Sequence, residues 1–135
     1  MNIIVCIDDD NGMMFNRRRQ SRDKAIIQDI INTVGESRLF MDKYSASLFA
    51  DYDVEVIAQR SFLSKADESD YCFVENKKLR PYKDKINSVI VYKWNRQYPS
   101  DMKLDIEPSE GRVLVSSVEF AGYSHEKITK EVYSR

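Results

Sequence analysis

The chain has 135 residues, 42% of them hydrophobic and 32% charged, which suits one domain over 1–135 with a single core. Basic and acidic residues number 21 and 22, whereas proteins that bind nucleic acids or membrane surfaces usually carry a basic excess. No basic segment precedes the first apolar run, and no stretch approaches the roughly 20 apolar residues that cross a bilayer. We therefore expect a cytoplasmic protein that does not bind membranes and is not dedicated to nucleic-acid binding, although a local basic patch could still bind an anion.

The first elements are a strand, a turn and a loop. Residues 3 to 7 are a short continuous apolar run, which is typical of a buried central strand. The segment 8 to 12, Asp-Asp-Asp-Asn-Gly, has turn chemistry. Residues 13 to 20 are then predicted to form a loop that carries three consecutive arginines.

The best-defined helix follows this loop. Ser21 is predicted as its N-cap, with Asp23 in the first turn, where a carboxylate suits the helix dipole. Gly35 is a natural stop. One apolar face is formed at helical spacing by Ile26, Ile27, Ile30, Ile31 and Val34.

The remaining segments alternate between strands and short helices and end in a hairpin. Strands are predicted at 38–41, 54–58, 71–74, 89–94, 112–120 and 127–133, and short helices at 45–49, 62–66 and 79–86. Such alternation predicts an α/β fold of three layers, α/β/α. Its sheet is mixed and mostly parallel, and an antiparallel C-terminal hairpin closes it.

Two charged clusters are candidate sites in the first part of the chain. Asp8 to Asp10 could bind Mg²⁺, but a solvated turn explains them equally simply, and we predict no metal site. Arg17 to Arg22 could bind phosphate of an anionic ligand or a nucleic acid, although a solvated loop accounts for the same residues.

The order of elements and several local motifs resemble dihydrofolate reductase. Residues 5 to 12 resemble that family's first strand and the turn into its mobile loop, and 39 to 45 resemble its strand-to-helix phosphate turn. The resemblance implies a dihydrofolate reductase-like fold, with Asp23 as catalytic carboxylate beside a cleft for a small-molecule ligand. It also implies NADPH as a possible cofactor, whose phosphate Lys43 and Ser45 would hold.

The chain departs from this family where the cofactor would bind. The Pro-Trp of the mobile loop is absent, Asp42 replaces the glycine of the phosphate turn, and Glu75 lies where the family has a glycine pair. Glycines let backbone approach a dinucleotide closely, and a carboxylate repels phosphate. The chain is therefore interpreted as a divergent, non-catalytic member that binds a small molecule or a protein partner.

Two alternatives stay open: an NADPH-dependent reductase of a pterin-like or other heterocycle, and an anion- or nucleic-acid-binding module built on Arg17 to Arg22. Similar small bacterial proteins are labelled ribonuclease Z, an enzyme that needs a His-x-His-x-Asp-His zinc motif. The single histidine, His125, excludes a zinc-dependent nuclease of that kind and is predicted to be a polar loop residue.

Overall fold

Strand β1 lies at the centre of the main sheet because side chains on both of its faces are apolar. The structure, a computed structural model, describes residues 1–135. The strands are β1 Asn2–Ile7, β2 Gly12–Phe15, β3 Arg18–Arg19, β4 Leu39–Met41, β5 Ile57–Ala58, β6 Tyr71–Phe73, β7 Ser88–Lys93, β8 Met102–Lys103, β9 Val113–Phe120 and β10 Ile128–Ser134.

The main sheet has seven strands in the order β5-β4-β6-β1-β7-β10-β9. The first five run parallel, since β1 pairs in parallel with both β6 and β7, and β4 with both β5 and β6. Strand β10 then pairs antiparallel with β7 and with β9. The predicted mixed, mostly parallel sheet with an antiparallel C-terminal hairpin is confirmed.

Each face of the sheet carries its own core, and the alternation of side chains along β1 divides them. Ile3, Val5 and Ile7 point to one face, where α3 (Phe62–Lys65) contributes Phe62. Ile4 points to the other face and packs with helix α1 (Lys24–Val34).

Residues 12 to 15 and 18 to 19 are strands, not the predicted loop. Together with β8 they form a second sheet in the order β3-β2-β8. Met13 and Met14 in β2 are buried in the first core. The prediction was wrong because the partner β8 lies about ninety residues away, in a stretch that shows no strand pattern.

The helices are shorter than predicted, and the cap of α1 lies two residues later. Asp23, not Ser21, is the N-cap, since its backbone is extended and its side chain accepts a hydrogen bond from the Ala25 backbone N–H. The predicted helix at 45–49 is a one-turn α2 (Lys43–Ala46) followed by a 3-10 turn at Ser47–Phe49. The segment at 79–86 is also a 3-10 helix, at Arg80–Lys85.

No helix has both the length and the apolar character that crossing a membrane requires. Both cysteines are free thiols. Cys72 is buried, which raises its pKa to about 12. Cys6 is half-buried, and its pKa is also raised, chiefly by loss of hydration.

Candidate functional site

Asp23 is buried at the start of α1, and its carboxylate accepts hydrogen bonds from α1 and from the connection between β9 and β10. Oδ1 accepts from the backbone N–H groups of Ala25 and Tyr123, both at 2.9 Å. Oδ2 accepts from the backbone N–H of Ser124 at 2.9 Å and from its hydroxyl at 3.2 Å, and it lies 3.0 Å from Nδ1 of His125. The carboxylate thus joins α1 to the connection between β9 and β10.

This connection is shaped to fit the carboxylate. A Cβ added at Gly122 would lie 2.6 Å from Asp23 Oδ2 and 2.8 Å from the His125 carbonyl oxygen. The glycine therefore lets the 121–126 connection approach Asp23 closely enough for its backbone to donate hydrogen bonds.

The environment of Asp23 favours the ionised form. Burial alone would raise the pKa, but the hydrogen bonds from Tyr123, His125, Ser124 and Ala25 outweigh it and hold the pKa far below its usual range. The hydrogen bonds around Asp23 thus stabilise the carboxylate rather than the carboxylic acid.

His125 lies in the loop between β9 and β10, as predicted. Its imidazole is buried, stacks on Trp94 with ring centroids 4.6 Å apart, and places Nε2 3.1 Å from the Ser21 hydroxyl and 2.9 Å from the Tyr98 hydroxyl. Its burial could not be predicted from the sequence because these hydrogen-bond partners lie 27 to 104 residues away.

Asp23, His125 and Ser21 stand in the order of a serine hydrolase triad, but the arrangement lacks the access that such chemistry needs. The His125 side chain is 2% exposed. Tyr98 competes with Ser21 for the same ring nitrogen, whereas an activated serine needs that nitrogen as its base. We interpret the three residues as a structural hydrogen-bond network.

Ser45 and Lys43 point to different environments. Ser45 is fully buried and its hydroxyl donates to Glu75 Oε1 at 2.7 Å. Lys43 is exposed to solvent. Between them in sequence, Tyr44 donates its backbone N–H to Asp42, which caps α2 and also pairs with Lys77 at 3.4 Å.

Glu75 and Arg19 form an ion pair beside the buried Ser45 hydroxyl. Arg19 donates from Nε to Glu75 Oε2 at 2.8 Å and from a terminal nitrogen to Oε1 at 3.0 Å. The guanidinium lies 4.6 Å from the Tyr44 ring centroid, and the Arg19 backbone N–H donates to the Tyr44 hydroxyl. Arg19 is thus turned inward, away from the exposed Arg17 and Arg18 of the predicted basic patch.

The aspartates of the acidic cluster at 8–10 also lie in different environments. Asp8 is buried and accepts from the backbone N–H groups of Asp10, Gly12 and Tyr98. Burial would raise its pKa, but these bonds and one from the Gln20 amide lower it. Asp10 instead points to solvent and pairs with Lys103 at 2.5 Å, and no group of three metal-ligating side chains comes together anywhere in the chain.

The interior between Asp23 and the Arg19–Glu75 pair is nearly filled. The cavity there has about 20 Å³ of open space, room for about one water. Side chains that line it include Cys6, Ile26 and Phe73.

Two open grooves flank this filled interior. The first, which we call the Asp23 groove, has a volume of about 380 Å³, and its lining includes Arg22, Lys24, Ile27, Leu48, Asp51, Tyr52 and Tyr123. The second, of about 350 Å³, is lined by Met14, Arg17, Tyr44, Asn76, Asp101 and Met102.

The low pKa values of Asp23 and Asp8 predict the response of stability to acid. Both groups have folded-state pKa values below the ordinary value of 3.8. As the pH falls past this value, the unfolded chain takes up protons that the folded chain does not, so stability is lost progressively toward the lowered folded values.

The free energy of unfolding, measured with urea between pH 7 and pH 2.5, should therefore decline below about pH 4. Asp23→Asn should make this decline shallower, while Asp53→Asn, at an exposed carboxylate that forms no ion pair, should leave it unchanged. An Asp23→Asn profile parallel to that of the wild type would contradict the assignment.

Comparison with known proteins identifies the fold. No protein-family model matches the sequence, and no curated protein matches it. Among solved structures, dihydrofolate reductase from Enterococcus faecalis, complexed with NADP(H) and RAB-propyl, matches with a TM-score of 0.71 and 9% identity, over 99% of this chain and 95% of that chain. The chain therefore has a dihydrofolate reductase-like α/β fold, as predicted, with a strongly divergent sequence.

Proposed function

We propose that the protein is a non-catalytic domain of dihydrofolate reductase-like fold that binds a small aromatic anion in the Asp23 groove. The observation that supports a non-catalytic domain is the set of hydrogen bonds that Asp23 accepts. Its two oxygens accept from three backbone N–H groups and face His125, which leaves little acceptor capacity for a substrate.

The residues on the other side of the filled interior do not fit a nicotinamide cofactor. A dinucleotide needs backbone N–H groups and positive charge around its phosphates. Here Glu75 and Asp42 supply carboxylates, and the Ser45 hydroxyl is buried on Glu75. These contacts disfavour the NADPH-dependent reductase alternative.

The chemistry of the Asp23 groove supports the ligand class. Tyr52 and Tyr123 offer aromatic faces, and Ile27 and Leu48 add apolar surface. Its volume of about 380 Å³ lies within the range of small-molecule sites. The charged residues that line it are Arg22, Lys24, Asp23 and Asp51. Hydrogen bonds from the chain occupy Asp23, so Asp51 alone opposes two cations that form no ion pair, and this balance favours a negative charge on the ligand.

A wider depression of about 960 Å³ at the ends of β7 and β9 fits a ligand less well. Its side chains include Arg96 and Glu126, and Lys127 there is paired with Glu119 at 3.6 Å. The Lys127–Glu119 pair leaves Arg96 as the only unpaired cation beside the carboxylate of Glu126, so this depression offers an aromatic anion less net attraction than the Asp23 groove.

The experiment is an NMR titration of the ¹⁵N-labelled protein with 4-aminobenzoate and with folic acid, both aromatic carboxylates. We expect saturable shifts at Tyr52, Tyr123 and Ser124. Tyr123→Ala should weaken binding by about fivefold to tenfold, the usual worth of one aromatic contact. Phe15→Ala is the matched control, because Phe15 is exposed but lies outside the groove.

A titration without saturable shifts from either probe, or an affinity in Tyr123→Ala equal to that of the wild type, would refute the ligand proposal. The non-catalytic half is tested separately by NADPH oxidation with dihydrofolate, for which we expect no rate above background. Saturable turnover that is lost in Asp23→Asn would instead establish the reductase alternative.

A further inference from the structure

The outer edge of the main sheet is apolar and unpaired. Strand β9 is last in the strand order, so the backbone N–H and C=O groups on its outer side have no strand partner. Four of its residues are large exposed hydrophobics: Val113 at 65%, Leu114 at 49%, Val115 at 57% and Val118 at 49%. An exposed edge strand that is long and apolar is a ready template for pairing with another chain.

The features that normally protect a sheet edge are sparse here. Among the eight residues of β9 there is no lysine, arginine or proline, and Glu119 is the only charged side chain. A register shift against β10 lies near Val115, and such a bulge is the only protective device on the strand.

The apolar side chains lie on both faces of the sheet. Leu114 is opposite Tyr133, which packs against the core on the Ile3 side. Val118 is opposite Lys130, whose Nζ bonds Thr33 of α1 on the other side. A helix or loop packed on one face would cover either Leu114 or Val118 but not both. A strand added in the plane of the sheet would contact both side chains and would pair with the open backbone groups.

We propose that β9 is a homodimer interface, in which the β9 strands of two copies pair antiparallel about a two-fold axis and join two sheets into one. A second copy supplies the partner that this edge requires: a strand of the same length, apolar on both faces, with open backbone groups. A two-fold axis near Ser116 and Ser117 also keeps the two Glu119 carboxylates apart, because each lies toward the end of its strand.

Sedimentation equilibrium with the full chain tests the proposal. The mass should rise from 15.8 kDa toward twice that value as concentration increases from about 1 µM to about 1 mM. Val118→Lys should keep the protein monomeric over this range, with an unchanged circular dichroism spectrum because Val118 is exposed. Phe15→Lys, at the exposed aromatic of β2, should dimerise like the wild type.

Mixing two charge variants separates pairing from a general effect of surface charge. Val118→Lys and Val118→Glu should each be monomeric alone, while an equimolar mixture regains part of the dimer. Wild-type protein that stays at 15.8 kDa up to about 1 mM would overturn the proposal and assign the edge to a different partner. A dimer that survives Val118→Lys would overturn it as well.

Discussion

Asp23→Ala is expected to lower the free energy of unfolding by about 3 to 5 kcal/mol, a large part of a typical domain's stability. The substitution removes the N-cap of α1 and leaves the backbone N–H groups of Tyr123 and Ser124, and the His125 imidazole, without their buried acceptor. Each unsatisfied buried donor costs about 1 to 3 kcal/mol. Equilibrium urea unfolding, followed by circular dichroism and Trp94 fluorescence, measures the loss.

The matched control is Asp42→Ala. Asp42 also caps a helix, but its side chain accepts only one backbone N–H, from Tyr44, besides pairing with Lys77. A cap of this kind is worth about 1 kcal/mol. If Asp23 were kept for catalysis rather than structure, Asp23→Ala would cost no more than this control or would raise stability, because catalytic groups are often held at a cost to the fold.

The main sheet could be predicted from sequence because its strands are locally encoded. The apolar run of β1 and the β-branched run of β7, Val89-Ile90-Val91, are each typical of a buried strand. The second sheet could not be predicted in this way. Strands β3 and β8 have two residues each, so their pairing depends on contacts distant in sequence and shows no periodicity.

The candidate site was predicted only in outline, for a similar reason. The position of Asp23 at the start of α1 follows from the helix pattern and from the family resemblance. Its partners Tyr123 to His125 come from a connection a hundred residues later, and nothing in that connection indicates a carboxylate ligand. One signal could have indicated it: Gly122 lies three residues before the only histidine, in the short connection between two predicted strands.

Breaking the ion pair between Arg19 and Glu75 is expected to have the second large effect on the free energy of unfolding. Glu75→Ala should cost about 3 kcal/mol or more, because it leaves Arg19, whose side chain is 19% exposed, without a counter-charge and leaves the buried Ser45 hydroxyl without an acceptor. Urea unfolding again measures the loss. Asp10→Ala, which breaks the exposed pair with Lys103, should cost at most about 1 kcal/mol.

The double variant Arg19→Met with Glu75→Leu shows why Glu75→Ala is costly. If the loss in Glu75→Ala comes mainly from an unpaired buried charge, removing both charges should restore much of the stability, although the Ser45 hydroxyl still lacks its acceptor. The cycle compares the double variant with the single variants Arg19→Met and Glu75→Leu, and we expect a coupling free energy of the order of 1 to 3 kcal/mol. A double variant as unstable as the sum of its single variants would show instead that the two side chains contribute through packing and not as a pair. In that case the ion pair between Glu75 and Arg19 would not be what stabilises this part of the interior.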